Sequence, residues 1–140
     1  MTLKELSQLY YLKREIAKDE QRLAELQAKS YSIPGSNFSG APGGGGSVSG
    51  SSIERNAAEI VDLEAIISAK ITQCLHERNR LERYIADIPD SLTRQIFTQR
   101  FVNGKTWLQV ANSVGGYNTE DGVRMICRRY IDKENKKERG

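Results

Sequence analysis

An apolar residue recurs at every seventh position between residues 53 and 88, and this repeat constrains the fold more than any other feature of the sequence. The repeat positions are Ile53, Ile60, Ile67, Cys74, Leu81 and Ile88. Side chains with this spacing lie along one stripe of a helix, and such a stripe packs against a partner as a left-handed coiled coil. Leu63 and Tyr84 fill two companion core positions, whereas Lys70 and Glu77 place charges in two others. The pattern predicts a long coiled-coil helix over 53–88.

A second apolar pattern covers residues 1–29, where leucine and isoleucine recur in steps of three and four. The pattern residues are Leu9, Leu12, Ile16, Leu23 and Leu26, and Asp19 interrupts the series. The intervening Lys, Glu, Arg and Gln residues favour a helix. The simplest arrangement is an antiparallel hairpin with 53–88. The charged core positions and the unequal lengths of the helices also make 53–88 a candidate surface for homo-oligomerisation.

Residues 30–52 separate the two patterns, and 15 of these 23 residues are Gly or Ser while none is charged. This composition cannot form a packed core and predicts a flexible linker. Pro89 ends the second helix, because proline disfavours helix in the residue before it. We therefore predict a first part, residues 1–89, that is a helical hairpin or coiled coil interrupted by the linker.

Residues 90–140 contain cap and turn signals for three shorter helices. Asp90 and Ser91 suit the start of a helix, and Asn103-Gly104 suits its end. Thr106 and Gln109 form a T-x-x-Q capping box for a helix over 107–114. A turn at 115–118 then precedes a helix over 119–131. A helix, a glycine turn and a second helix behind a supporting helix form a three-helix helix-turn-helix domain, so the predicted fold class is all-α.

The last of these helices carries the candidate DNA-reading residues. Its inward side is predicted to consist of Val123, Ile126, Cys127 and Tyr130. The opposite side presents Asp121, Arg124, Met125 and Arg128, with Thr119 and Glu120 at the start of the helix. Arginine can pair with guanine O6 and N7, and a carboxylate can accept from cytosine N4. Arg129 and Lys133 are placed to reach phosphates, as is Lys105, just before the helix that crosses the DNA backbone in this motif.

The charge distribution agrees with a polyanionic partner. The whole chain has a net charge of +3, whereas residues 90–140 alone hold ten basic and six acidic side chains, a net charge of +4. A local basic excess is typical of nucleic-acid binding. The predicted partner is double-stranded DNA, and residues 90–140 are expected to bind it without the N-terminal half. A solvated basic tail is the plain alternative for the last few residues.

Residues 88–116, IPDSLTRQIFTQRFVNGKTWLQVANSVGG, resemble the helix-turn-helix of bacterial sigma factor region four. The shared pattern is an apolar-Arg-aromatic-apolar helix end, a glycine turn, a Thr or Ser cap and an aromatic-x-x-apolar-Ala helix. The layout of the chain also resembles small late-gene activators encoded by phages and prophages of low-GC Gram-positive bacteria. This resemblance implies transcription regulation by DNA binding in the host cytoplasm, at the nucleoid, and host RNA polymerase as a second partner.

No catalytic, metal or cofactor site is predicted. Gly104-Lys105-Thr106 matches the end of a P-loop, but Gln99 occupies the position of its first glycine. His76 is the single histidine, and Cys74, two residues away, points to another face of the helix. Apolar runs are too short to span a membrane. We therefore expect no enzyme and no cofactor.

Two other functions fit the same pattern. Small terminase subunits, which package DNA, also join a helix-turn-helix to an oligomerising helical region. Alternatively, the helix-turn-helix is a protein-interaction module that binds host RNA polymerase instead of DNA. Oligomer size separates the first alternative from a regulator, and the salt dependence of DNA affinity separates the second.

Overall fold

The computed structural model describes residues 1–36 and 46–140, and every regular element in those two ranges is a helix. The helices are α1 (Leu3–Leu6), α2 (Gln8–Ser36), α3 (Gly46–Ala86), α4 (Ser91–Phe97), α5 (Trp107–Val114) and α6 (Glu120–Arg139). α4 continues into a π-helical turn, Thr98–Val102. The predicted all-α fold, with a helical hairpin followed by a helix-turn-helix region, is confirmed.

The long helices extend further into the predicted linker than composition suggested. α2 reaches Ser36 and α3 begins at Gly46. The prediction of a flexible linker was therefore wrong for residues 30–36 and 46–52, which are helical. Adding a residue to an existing helix gains a hydrogen bond without a new nucleation step, so poor helix formers can extend a helix. The rest of the predicted linker, residues 37–45, lies outside the described residues.

The described chain forms two compact units, and one of them is Arg14–Thr72. Here Leu26 of α2 packs with Leu63 and Ile67 of α3, with Ile16, Leu23 and Ile60 at the edge of the cluster. Asp19 of α2 pairs with Lys70 of α3 whereas the later Leu26 packs with the earlier Leu63, so the two helices run in opposite directions, which confirms the antiparallel hairpin. The heptad pattern overstated the seam at one end, because Ile53 is 45% exposed.

Two charged residues that break the apolar patterns meet each other in this hairpin. Lys70 Nζ lies 2.6 Å from Asp19 Oδ2 and 3.5 Å from Glu15 Oε2. The hydrogen bond with Asp19 is the main reason why the pKa of Lys70 is raised. A polar pair at one point of an otherwise apolar seam penalises shifted alignments, since a shift would leave both charges against apolar side chains.

The second unit combines Met1–Lys13 with Gln73–Gly140. Its core contains residues from the beginning of the chain, from the end of α3 and from all three later helices: Leu6, Leu9, Leu81, Ile85, Ile88, Ile96, Phe97, Phe101, Val102, Val110, Ala111, Val123, Cys127 and Ile131. Lys13 Nζ also donates to the Val102 carbonyl, 3.3 Å away. The predicted boundary between residues 89 and 90 falls inside this unit, so residues 90–140 do not possess a complete core of their own.

Candidate nucleic-acid interface

α5 is fixed at its start by the capping box that the sequence predicts. The Gln109 N–H donates to Thr106 Oγ1 at 3.2 Å, and the Thr106 N–H donates to Gln109 Oε1 at 3.0 Å. Val110 and Ala111 are buried in the core. Gly104, in the loop before the cap, has φ +69°, the left-handed conformation expected where the preceding helix stops. α5 is thus a rigid support for the turn at its C-terminal end and for α6.

The turn between α5 and α6 has three consecutive left-handed residues. Gly115, Gly116 and Tyr117 have φ values of 66°, 64° and 63°. The Asn118 side-chain amide donates to the Gly115 carbonyl at 2.7 Å and closes the turn. This conformation joins α5, which ends at Val114, to α6, which begins at Glu120. It leaves the Tyr117 side chain fully exposed at the tip.

α6 begins where the sequence predicts and ends later. Thr119 caps it, and its Oγ1 accepts from the Gly122 N–H at 3.0 Å. Val123 and Cys127 are buried, while Ile126 and Tyr130 are partly buried, which confirms the predicted inward side. The prediction that the helix ends near residue 131 was wrong, because α6 runs to Arg139. The basic tail is therefore part of the helix.

The outward side of α6 presents a mixed charged and apolar surface. Asp121, Met125 and Arg128 are exposed at helical spacing on one face. The Arg128 guanidinium has no hydrogen bond or ion pair with another described residue. Arg124 is also exposed but lies beside the buried Cys127, and its Nη2 is 3.4 Å from Glu120 Oε1. Both members of this pair are nearly half-exposed, so water weakens it and an anionic group from another molecule can replace Glu120 as the partner of Arg124.

The other predicted contact residues fall into three groups. Thr119 and Glu120 serve α6 itself, as its cap and as the partner of Arg124. Arg129 and Lys133 are exposed on α6. Lys105 lies apart from α6 in the loop before α5, where it is partly buried and its Nζ donates to Ser113 Oγ at 3.1 Å. The structure thus brings together on one helix eight predicted residues: Thr119, Glu120, Asp121, Arg124, Met125, Arg128, Arg129 and Lys133.

One acidic residue of α6 is engaged inside the protein. Glu134 accepts hydrogen bonds from the hydroxyls of Tyr84 (3.0 Å) and Tyr130 (2.9 Å). Burial, and then the bond to Glu134, raises the pKa of Tyr130 to about 12, and the pKa of Tyr84 is raised for the same reasons. The last residues of α6 meanwhile present exposed basic side chains at Lys136, Lys137 and Arg139.

Sequence reasoning missed a groove beside α6 with a volume of about 590 Å³. One wall belongs to α6 and includes Arg124 and Arg128, and the facing residues of α1 and α2 include Tyr11. The N-terminal segment carried one available signal, because Thr2 and Glu5 form a T-x-x-E capping box that the structure confirms. No local sequence pattern predicts that the N-terminal segment packs beside α6.

Arg100 and Trp107 also belong to this groove. The Arg100 guanidinium carbon lies 4.6 Å from the centre of the Trp107 ring, and its Nη1 donates to the Lys105 carbonyl at 3.0 Å. Cation–π stacking together with a hydrogen bond holds this guanidinium in one place.

The described residues offer little covalent chemistry. Burial raises the pKa of the Cys127 thiol to about 12, so it stays protonated and is a poor nucleophile at neutral pH. Within residues 1–36 and 46–140, no group of three or more His, Cys, Asp or Glu residues could hold a metal ion. No helix in the same ranges is long and apolar enough to cross a membrane.

Comparison with known proteins returned no relative of this chain. No protein-family model, no curated protein and no solved structure matches it. What α6 and its surroundings bind is therefore inferred from their charge, shape and hydrogen bonding.

Proposed function

We propose that this protein is a DNA-binding transcription regulator of phage or prophage type that reads duplex DNA with α6. The observation that carries the proposal is the exposed face of α6, where Met125 and Arg128 project from a helix fixed by a cap and a buried inner side. A second helix that comes after a capped helix and a glycine turn is the element that enters the major groove in helix-turn-helix proteins. The resemblance of residues 88–116 to sigma factor region four supports the same function.

The position of each basic residue determines whether we expect it to contact a base or a phosphate. Arg128, which has no hydrogen-bond or ion-pair partner among the described residues, is positioned to read a base edge. Arg124 reads a base edge once its ion pair with Glu120 is broken. It lies nearer the start of the helix, where base contacts concentrate. Arg129 and Lys133 reach phosphates on one side of the base-reading face, and Lys105 reaches one from the loop before α5. The net charge of +4 in residues 90–140 supplies the attraction that depends on salt.

The test is selection of duplexes from a random pool by the full-length protein, followed by titration of one selected and one scrambled duplex. Full-length protein is needed because residues 90–140 lack part of their core. Arg128→Gln should weaken binding to the selected duplex by about tenfold and to the scrambled duplex much less, as expected for a base contact worth about 1–3 kcal/mol. Lys133→Gln should weaken both duplexes alike and reduce the slope of affinity against salt by about one.

Arg55→Gln is the matched control, because Arg55 is an exposed arginine on α3, outside the helix-turn-helix. The variant should bind both duplexes as the parent protein does. If full-length protein binds no duplex at about 50 mM salt, the proposal fails. The interaction module that binds host RNA polymerase then becomes the better explanation of the basic face.

DNA packaging as a small terminase subunit is a second candidate, and one observation favours it. α3 exposes large apolar side chains, including Val61 and Ile71, on a side that the hairpin does not cover. Exposed apolar surface on a long helix indicates self-association. Sedimentation separates the two functions, because a ring of many subunits indicates packaging whereas a dimer indicates a regulator.

A further inference from the structure

We propose that the groove between α6 and the N-terminal helices binds a small aromatic anion. The groove holds about 590 Å³, within the range of sites that enclose a small molecule. Its apolar lining comes from buried core residues, among them Phe101, Cys127 and Ile131. A flat aromatic ring fits such a surface, and Tyr11 and Trp107 supply aromatic walls beside it.

The charge of the lining determines the charge of the ligand. Arg100, Arg124 and Arg128 all line the groove, and Asp132 is the single carboxylate in its lining. Three guanidinium groups against one carboxylate leave a positive surface that suits a carboxylate, sulfonate or phosphate group. Guanidinium groups bind such planar or tetrahedral anions through paired N–H donors.

The three arginines differ in how ready they are to bind. Arg100 is held in place by Trp107 and by the Lys105 carbonyl, so little ordering is needed at that end of the groove. Arg128 has no competing hydrogen bond or ion pair within the part of the chain that the structure describes. The weak ion pair of Arg124 with Glu120 is easily exchanged. The anionic group is therefore bound mainly by Arg128, with Arg124 as its second partner.

Binding in this groove also affects the DNA-reading face, a consequence that rests on the proposed function. Arg124 and Arg128 cannot hold an anion in the groove and read a base edge with the same N–H groups. The ligand and a selected duplex should therefore compete, and each should weaken the affinity for the other by the same factor. Such competition would make the groove the effector site of the regulator.

The test uses 8-anilinonaphthalene-1-sulfonate, an aromatic monoanion, and N-phenyl-1-naphthylamine, which has the same rings without the sulfonate. Trp107 is the single tryptophan of the chain and lines the groove, so quenching of its emission reports binding to full-length protein. The sulfonate should quench it saturably with one site per chain. The neutral analogue should bind at least fivefold more weakly, because it lacks the group that the arginines hold.

Arg128→Gln is the informative variant and Arg129→Gln its matched control, since Arg129 is exposed on the same helix but does not line the groove. Arg128→Gln should weaken sulfonate binding about fivefold to tenfold and leave the neutral analogue unchanged, whereas Arg129→Gln should change neither. Equal affinities for the two probes, or equal effects of the two variants, would overturn the proposal. These outcomes do not depend on DNA, so they remain decisive if the protein binds no duplex.

Discussion

At the scale of single residues, the most unusual conformation belongs to Tyr117. It is the one non-glycine residue with positive φ among those that the structure describes, and its ring is fully exposed. A left-handed conformation costs an ordinary L-residue about 1–2 kcal/mol, and asparagine adopts it more readily. Tyr117→Asn should therefore raise the free energy of unfolding by about 1 kcal/mol in urea denaturation.

Tyr117→Phe is the control for that prediction, because it keeps the strained backbone and removes the hydroxyl alone. Its stability should equal that of the parent protein. If Tyr117→Asn is no more stable than Tyr117→Phe, the turn is not strained. If Tyr117→Asn is more stable but binds selected DNA more weakly, the tyrosine is retained for a contact at the interface, as strained residues at functional sites commonly are.

The tyrosines that hold Glu134 predict how stability depends on pH. The pKa of Tyr130 in the folded protein is raised to about 12, above its ordinary value of 10. A group whose pKa is raised by folding stabilises the protein fully below its unfolded pKa and loses that contribution as pH rises through the folded pKa. Stability should thus fall between about pH 10 and pH 12, as followed by the urea midpoint at each pH.

The double variant Tyr84→Phe with Tyr130→Phe tests whether the tyrosines cause this loss of stability at high pH. It should be less stable than the parent at neutral pH, because Glu134 loses both donors, but its midpoint should fall less steeply above pH 10. Cys127 also has a raised pKa, about 12, and contributes the same sign of pH dependence in both proteins. The difference between the two pH curves isolates the tyrosines, and parallel curves would contradict this account.

At the scale of elements, α1 and the start of α2 are a structural part of the helix-turn-helix unit. Leu6 and Leu9 are almost fully buried in the same cluster as Phe97 and Val123. Truncating a buried leucine to alanine typically costs about 2–5 kcal/mol. Leu6→Ala should lower the free energy of unfolding of this unit by that amount, measured from Trp107 fluorescence in urea.

Leu3→Ala provides the matched comparison, because Leu3 belongs to the same short helix but is 54% exposed. Its effect should stay within about 0.5 kcal/mol, as for surface substitutions generally. Equal losses from Leu6→Ala and Leu3→Ala would mean that α1 does not dock as the core indicates. A fragment consisting of residues 90–140 should be largely unfolded for the same reason, because it lacks Leu6, Leu9, Leu81 and Ile85.

The elements that could be predicted from sequence are those set by neighbouring residues. The starts of α4, α5 and α6 are fixed by hydrogen bonds at Asp90, Thr106 and Thr119, each made within three residues of the cap. The docking of α1 and the formation of the groove depend on contacts between residues about 75 to 130 positions apart, for which no local pattern exists. No local pattern predicts the ion pair of Asp19 with Lys70 either. Each of these residues interrupts an apolar pattern, and in the structure the two bind each other.

At the scale of the whole molecule, the uncovered side of α3 leads to a prediction about assembly. Ile53, Val61 and Ile71 are 45%, 64% and 44% exposed. Ile53 and Ile71 are 18 residues apart, about five turns, and Val61 lies within about 80° of both around the helix. Ile53 and Ile71 lie at the margin of the hairpin seam and Val61 lies beyond it, so apolar surface extends outward from the seam and offers a second copy of the chain a place to pack.

Val61→Asp with Ile71→Asp should therefore shift the protein toward monomer in sedimentation, while its helical circular dichroism stays unchanged. The control is Ile66→Asp, because Ile66 is equally exposed but lies about 140° around α3 from Val61 and from Ile71. It should leave the oligomeric state as it is. A dimer carries two copies of α6 and favours a palindromic DNA site, so the double variant should also lose affinity for a full selected site while binding a half-site as the parent does. If the parent protein sediments as a monomer at micromolar concentration, α3 does not join two chains, and the DNA site expected under the proposed function is single and unrepeated.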